Sequence, residues 1–240
     1  MPNPLVRKLE HGARLTTEEK NLLVGLVAGA EQVPGHSDLI SEGEAPDFVH
    51  GVLEGFAYRY KLLADGGRQI MAWLLPGDFC DLHVSILGEM DHSIATLTPS
   101  TICYLPRNGL DALTVGHPGL THALWWATLV DEAVLREWLV SMGRRAAAQR
   151  IAHMFCEVHA RLDAVGLAPA GLMDFPLSQT DLADSAGLSS VHVNRVVQQL
   201  RDEGLIAWRG RILQVIDAAA LAAFADFNPN YLHLRRAQFA

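Results

Sequence analysis

Hydrophobic and polar positions change their spacing along this chain, and each change predicts a different kind of element. Between Val33 and Leu105, short apolar runs alternate with Gly, Pro and Asp turns at intervals of roughly 8 to 12 residues. This alternation predicts short antiparallel strands that close into a compact barrel or roll. The segment before it has helical spacing, and Thr16 and Glu19 stand as in a capping box.

A long helix is predicted over residues 118–143, because the segment opens with a proline suited to a first helical turn and contains no internal breaker. Apolar residues occupy most of its circumference, so one face can cover the roll while another meets a partner helix. A helix buried within one chain is the alternative. We assign the dimer helix contact to the stripe at three- and four-residue spacing: Leu120, Leu124, Ala127, Val134 and Trp138.

A glycine interrupts the helical spacing of residues 179–197, and this break is the most informative feature of the chain. Ser178 can cap a first helix, and Gly187 can adopt the left-handed conformation that ends it. Ser189 can cap a second helix at once, so the pair has the spacing of a helix-turn-helix. Residues 205–216 predict two short strands around an Arg-Gly pair, the wing of a winged helix. The expected buried positions of the helix pair are Leu182, Ala183, Ala186, Val193, Val196, Val197 and Leu200.

The outward side of the second helix carries side chains that suit DNA bases. Arg195 can make bidentate hydrogen bonds to guanine, Asn194 could pair with adenine, and Val191 could touch a thymine methyl. For Arg195, a phosphate contact or a salt bridge to Asp202 is the alternative. A helix pair that contacts only protein is the alternative for the whole motif. The candidate DNA-binding residues are Ser178, Ser189, Ser190, Val191, His192, Asn194, Arg195, Arg209 and Arg211, with the two wing arginines expected at phosphates.

Charge is distributed unevenly along the chain, so the negative net charge does not exclude a nucleic-acid partner. The chain has 240 residues and a formal net charge of −8. Residues 1–144 contain 10 Lys and Arg against 18 Asp and Glu, whereas residues 145–240 contain 9 against 9. The C-terminal part is therefore neutral, and its arginines at positions 195, 201, 209 and 211 can form a local basic face.

A roll, a long helix and a winged helix-turn-helix in this order resemble the Crp/Fnr family of bacterial transcription regulators over almost the whole chain. The motifs that carry the resemblance are ISEGEAPDFVHGVLEG (40–55), DGGRQIMAWLLPGDF (65–79) and LSQTDLADSAGLSSVHVNRVVQQLRDEGLI (177–206). The resemblance implies an α+β fold with an N-terminal antiparallel, jelly-roll-like β-roll. It also implies a homodimer that binds a palindromic promoter site in double-stranded DNA and alters recruitment of RNA polymerase, with no catalytic site.

Three regions follow from this resemblance. Residues 1–117 are expected to form a sensory β-roll domain with flanking helices, residues 118–143 the dimerisation helix, and residues 144–240 the winged helix-turn-helix DNA-binding domain. We expect a hinge near Ser141 to Arg144, where Gly143 separates two helical patterns. An effector, a covalent change or protein abundance would then shift the population of DNA-competent dimers.

The chain departs from the family at the phosphate cassette of its cyclic-nucleotide sensors, where Gly-Glu is followed by Arg-Ser. Here the pairs are Asp81-Leu82 and His92-Ser93, so the ribose-binding carboxylate is missing and a histidine replaces the phosphate-binding arginine. Cyclic AMP sensing is therefore not expected. Val191 likewise replaces the Glu of the best-known members, which predicts a half-site that keeps a guanine for Arg195 but differs beside it. The candidate effector pocket is Cys80, Asp81, Leu82, His83, His92 and Ser93.

No cofactor is predicted, although several residues are of types that can bind one. The first cysteine is Cys80, too far along the chain for the N-terminal iron–sulfur cluster of related oxygen sensors. Haem, or another small effector, is the open alternative, through His83, His92 and Met90. Cys80 and Cys103 could act as redox sensors, but a cysteine in an apolar strand is typically core.

Two competing functions start from the same residues. The roll also resembles cupins, but the His-x-His pair is absent and Glu89 with His83 and His92 would make an irregular metal set, so neither a metal nor an enzyme is predicted. The second is a small-molecule, redox or haem sensor that acts through a protein partner. The apolar runs are too short for a membrane span and the first residues lack a secretory signal, so a cytoplasmic location is expected.

Overall fold

The computed structural model describes residues 3–27 and 29–234. Two helices precede the strands, α1 (Pro4–Gly12) and α2 (Thr17–Val27). At the start of α2, the Thr16 amide donates to the Glu19 carboxylate at 2.8 Å, and the Glu19 amide donates to the Thr16 hydroxyl at 3.2 Å. The predicted capping box is therefore confirmed.

Seven short strands form the predicted roll as two antiparallel sheets. One sheet has the strand order β1-β7-β3, and the other has the order β2-β6-β4-β5. Val49 and Ile102 of the first sheet and Ile94 of the second are fully buried in one apolar cluster, as expected for two sheets that pack face to face. The strands are β1 (Glu31–Val33), β2 (Asp38–Ile40), β3 (Phe48–Glu54), β4 (Ala57–Leu62), β5 (Arg68–Leu74), β6 (Ser93–Thr96) and β7 (Ser100–Pro106).

Three helices complete the N-terminal part. A short helix, α3 (Val84–Leu87), lies between β5 and β6, and α4 (Arg107–Thr114) follows β7. The long predicted helix is α5 (Pro118–Arg144), which packs against α1 and against β5 of the roll. It ends one residue later than predicted.

The buried face of α5 corrects the assignment of its dimer contact. Leu120, Leu124, Ala127, Val134 and Trp138 all pack into the core of their own chain, and even Trp138 is only 9% exposed. The assignment of this stripe to a partner helix is wrong, because side chains already buried within one chain have no surface left for another. The exposed apolar residues lie on the opposite side of the helix: Trp125, Leu129, Leu135, Leu139 and Val140.

The C-terminal part is a helical bundle with a small sheet. It contains α6 (Ala147–Ala164), a 3-10 turn (Pro169–Gly171), β8 (Leu172–Asp174), α7 (Gln179–Ala186), α8 (Ser190–Asp202), β9 (Ile206–Arg209), β10 (Ile212–Val215), α9 (Ala218–Ala225) and a last 3-10 turn (Pro229–Leu232). Helix α6 packs against α8 and α9. The predicted α+β fold is thus confirmed.

A third strand extends the wing beyond the predicted hairpin. β10 pairs with both β9 and β8, in the order β8-β10-β9. β8 lies in a Gly- and Pro-rich segment that reads as a connector, yet it buries Met173 in the core. Three residues are too few to show a strand period, so the sequence pattern missed it.

The break between α5 and α6 falls at Arg145 and Ala146, which have extended backbone, rather than at Ser141 to Arg144. Gly143 lies inside α5, so the expectation that it separates two helices is wrong, whereas a hinge at this boundary stays a prediction. A glycine in an exposed helical turn costs about 1 kcal/mol but does not end the helix. Across residues 3–27 and 29–234, none of the helices combines the length and apolarity of a membrane span.

Candidate DNA-binding interface and effector cavity

The turn between α7 and α8 has the geometry that its residues predict. The Ser178 hydroxyl accepts a hydrogen bond from the Asp181 amide at 3.1 Å, and the Ser189 hydroxyl accepts one from the His192 amide at 3.3 Å. Gly187 has φ of +61° and ends α7 in the left-handed conformation. A Cβ there would lie 2.8 Å from the terminal methyl of Met142, a flexible side chain that can move, so the left-handed backbone is what favours glycine at this turn.

The two helices bury the predicted residues and expose the rest. Leu182, Ala183, Ala186, Val193, Val196, Val197 and Leu200 are all buried. Val191, His192, Asn194 and Arg195 are exposed on the other side of α8, with Ser190 half-buried beside them. We call these five residues, together with the exposed Arg209 of the wing, the reading face. Ser178 and Ser189 are exposed helix caps, and their contact with DNA stays a prediction.

Arginines near the reading face differ in whether the chain itself holds them. Within the described part of the chain, neither Arg195 nor Arg209 forms an ion pair, and Asp202 accepts from Gln198 at 2.8 Å instead of from Arg195. Arg211 forms two hydrogen bonds with Asp174, at 2.7 and 3.2 Å. Arg201 donates to the Trp208 carbonyl and ties α8 to the wing. Arg195 and Arg209 are thus the arginines left for an external acceptor.

Arg150 clamps the end of α5 to the end of α7. Its guanidinium donates to the carbonyl oxygens of Ser141 at 3.1 Å and Met142 at 3.2 Å, near the C-terminus of α5. It also donates to the Ala186 carbonyl, in the last turn of α7. Because carbonyls in the last turn of a helix lack the full set of intrahelical partners, one side chain bonds to both helix ends and holds the helix-turn-helix against α5.

Buried charges join the roll to the C-terminal bundle. Arg161 of α6 donates to Asp78 at 2.5 Å, to Glu157 at 3.0 Å and to the Trp73 carbonyl at 2.9 Å. Burial would raise the pKa of Asp78, but Arg161 and Lys8 outweigh it and lower that pKa to about 2. We call Asp78, Arg150, Glu157 and Arg161 the junction. Each of its charges has a partner of opposite charge or several carbonyl oxygens.

A second contact joins β5 directly to α7. Arg68 donates to Asp181 and to Asp184, each at 2.8 Å, and its guanidinium lies 5.2 Å from the centre of the Tyr58 ring. Asp181 also accepts from the Ser178 amide at 3.0 Å. The roll therefore contacts the helix-turn-helix at Asp181, whose carboxylate completes the capping box of α7.

A cavity of about 340 Å³ lies between the roll and α5. Its wall includes Leu82, His83 and His92 from the predicted effector pocket, and Asp131 and Glu132 from α5. It also includes Arg59 of β4, which sequence reasoning missed. Arg59 is buried, donates to the Cys80 carbonyl at 2.9 and 3.0 Å, and pairs with Asp131 at 2.6 Å. Its position as a charged residue between Tyr58 and Tyr60 of a strand is the sequence signal that could have identified it.

Two family models match the two halves of this fold. Residues 30–116 match the model of the cyclic nucleotide-binding domain, and residues 149–224 match that of the Crp-like helix-turn-helix domain. The nitrogen fixation regulation protein FixK of Bradyrhizobium diazoefficiens is 30% identical over 190 residues, which cover 78% of each chain. The chain belongs to the Crp/Fnr family.

A second sequence relative and a solved structure support the assignment of the chain to the Crp/Fnr family. The transcriptional activator protein FnrL of Cereibacter sphaeroides is 29% identical over 178 residues, covering 72% of this chain and 70% of the relative. The structure of FixK2 from Bradyrhizobium japonicum superimposes with a TM-score of 0.73 at 26% identity, covering 81% of this chain and 96% of that one. The chain is thus a transcription regulator with a DNA-binding helix-turn-helix, in a family of regulators rather than enzymes.

Half of the predicted effector pocket does not line the cavity of the Crp/Fnr regulator. The Asp81 carboxylate is fully buried and accepts from the His50 amide at 2.7 Å and the His50 ring at 2.8 Å. Cys80 is fully buried, and the Ser93 hydroxyl accepts from the Glu42 amide at 3.0 Å. The assignment of these three residues to the pocket is wrong, because their side chains stabilise the roll itself.

The cysteines of the regulator are core residues. Cys80, Cys103 and Cys156 are all buried. Burial raises the pKa of the Cys103 thiol to about 11 and that of the Cys156 thiol to about 12, and it also raises the pKa of Cys80. Because the thiolate is the reactive form, these environments oppose a redox role for them.

Proposed function

We propose that this Crp/Fnr regulator binds a twofold-symmetric DNA site as a homodimer, with one α8 helix of each protomer in successive major grooves about 34 Å apart. The observation that carries the proposal is the reading face, on which Arg195 is exposed and has no ion pair among the described residues. A guanidinium in this state is free to form bidentate hydrogen bonds with guanine. Promoter binding would then act on RNA polymerase, and it would take place in the cytoplasm.

The exposed stripe of α5 supports the dimer. Leu139 is 73% exposed and Trp125 is 59% exposed. Leu129, Leu135 and Val140 continue the stripe along the helix. An apolar face of this extent on a long helix fits a second copy of the same helix, which would bury it. Sedimentation should show a dimer, and Leu139→Glu should produce monomers; a wild-type monomer would contradict the proposal.

We infer that DNA binding does not depend on cyclic AMP. A cyclic nucleotide needs a free cation at its phosphate, but Arg59 in the cavity wall is already paired with Asp131. One arginine faces three carboxylates there, those of Asp91, Asp131 and Glu132. Binding of an anion in this cavity is therefore opposed by its charge.

The direct test is selection of binding sites from a random DNA pool with purified protein and no added ligand. We expect a palindromic site with a guanine in each half-site, bound with an affinity that falls as salt rises. The base beside that guanine should differ from the familiar TGTGA-type half-site, because Val191 cannot accept a hydrogen bond from cytosine. Recovery of a TGTGA-type site, with unchanged affinity after Val191→Glu, would contradict the half-site proposal. Absence of any enriched site would contradict DNA binding by the ligand-free protein.

A further inference from the structure

The segment from His83 to His92, which contains α3, brings two histidines and a carboxylate together beside the cavity. His83, Asp91 and His92 each offer one ligand atom, and these atoms lie within 4.8 Å of one another. The two imidazole rings are 5.6 Å apart between centres. His83 precedes α3 and His92 precedes β6, so the two elements fix the ends of the segment that carries all three side chains.

Asp91 prepares His92 as a metal ligand. The Nδ1 of His92 lies 2.6 Å from the Asp91 Oδ1, and because a carboxylate only accepts, Nδ1 carries the proton. The lone pair of the neutral ring is then on Nε2. That atom is buried and has no hydrogen-bond partner within the described part of the chain, and the residue is 8% exposed. A buried nitrogen of this kind needs a partner, and the carboxylate–histidine pair behind it is the arrangement found around zinc.

Charge around the cluster favours a cation. The same cavity wall carries Asp131 and Glu132, and Arg59 is already engaged by Asp131 and by backbone carbonyls. Glu89, the carboxylate suggested by sequence, is exposed and is not a member of the cluster.

We propose that His83 and His92 bind a divalent transition-metal ion of the Zn²⁺ class, with Asp91 holding the His92 ring in place from behind through its Nδ1–H. Imidazole nitrogens are ligands that such ions take, at about 2.0–2.1 Å. Ligand atoms around a tetrahedral ion of this size are about 3.4 Å apart, so modest side-chain rotations would close the site. Water would complete the coordination from the cavity. The site stands on these residues alone and does not depend on the proposed DNA binding.

The test is titration of the full-length protein, freed of metal with a chelator, with Co²⁺ followed by its visible absorption and then competition with Zn²⁺. We expect one ion per chain. His83→Gln and His92→Gln should each weaken binding at least tenfold, and Asp91→Asn should weaken it about 10- to 100-fold. His122→Gln removes an exposed histidine of α5 and should change nothing.

Thermal unfolding provides a second readout that does not use absorption. Zn²⁺ should raise the Tm of the wild type and of His122→Gln but not that of His83→Gln. His83 is only half-buried, so this variant carries the test even if His92→Gln fails to fold. Equal Co²⁺ affinity in the wild type and in both histidine variants, or no binding by the wild type, would overturn the proposal. Neither readout involves DNA, so failure here and failure of the proposed DNA binding are distinguishable.

Discussion

Arginines at the junction and arginines on the reading face are held in opposite ways. Arg161 is buried between Asp78 and Glu157, and Arg150 satisfies the carbonyl ends of two helices. Arg195 and Arg209 are exposed and form no ion pair in the part of the chain that the structure describes. A buried guanidinium without partners costs several kcal/mol, whereas an exposed one is solvated by water. At the junction, the chain itself supplies the acceptors of each guanidinium. On the reading face, the acceptor must come from a ligand or from water.

Arg161→Met should break the junction and give the largest effect. It would leave Asp78 and Glu157 as buried carboxylates without their shared cation, and we expect a loss of about 3–5 kcal/mol in the free energy of unfolding. Urea unfolding measures it. Arg209→Met is the matched control on the reading face and should change stability by less than about 0.5 kcal/mol. Similar losses in both variants would remove the distinction between the two regions.

His153 makes the junction region sensitive to acid. Burial and the nearby Arg145 lower the pKa of His153 to about 4. In the unfolded chain His153 is therefore protonated below about pH 6.5, whereas in the folded chain it stays neutral down to about pH 4. The free energy of unfolding consequently falls by roughly 3 kcal/mol as the pH drops from about 6.5 to 4. His153→Phe keeps the ring packing against Tyr231 and should abolish this part of the pH dependence. An unchanged slope in the variant would show that His153 is not the titrating group.

Arg68 lies between the two classes, since it is partly exposed but paired with Asp181 and Asp184. A double-mutant cycle of Arg68→Met with Asp184→Asn should give a coupling energy of about 0.5–1 kcal/mol in unfolding measurements. This value would place the contact between the roll and α7 well below the junction in strength. A coupling near zero would show that the contact does not hold α7.

The two wing arginines, Arg209 and Arg211, should differ slightly in how much each contributes to the salt dependence of DNA binding. Arg209 is unpaired within the described residues, whereas Asp174 holds Arg211. Arg209→Ala should reduce the slope of log affinity against log salt by about 1. Arg211→Ala should reduce it less, because the charge it removes is partly offset by Asp174. Equal reductions would show that the ion pair with Asp174 opens when DNA binds.

Local patterns predicted much of this fold because they report local structure. Ser178, Gly187 and Ser189 specify caps and a left-handed turn through their own backbone, and the structure confirms all three. The roll followed from the spacing of turns. The face of α5 was assigned wrongly because apolar residues surround the helix, and only the packed roll decides which of them are buried.

The sequence predicted the cavity less well, since long-range pairing decides which side chains face it. Asp81 and His92 each begin one of the two residue pairs that replace the phosphate cassette. The Asp81 side chain nevertheless turns inward to His50, whereas His92 lines the cavity. Arg59 is 72 residues from its partner Asp131. No feature of the sequence near either residue could have predicted this ion pair.

Base reading by Arg195 is tested by measuring the affinity of Arg195→Ala for the selected DNA site and for the same site with the guanine replaced. Arg201→Ala is the matched control, because it removes the same charge from a side chain held by the Trp208 carbonyl. We predict that Arg195→Ala loses about 1–3 kcal/mol on the selected site and discriminates poorly at that base, while Arg201→Ala changes little. Unchanged affinity, or an equal loss on every DNA sequence, would contradict base reading by Arg195.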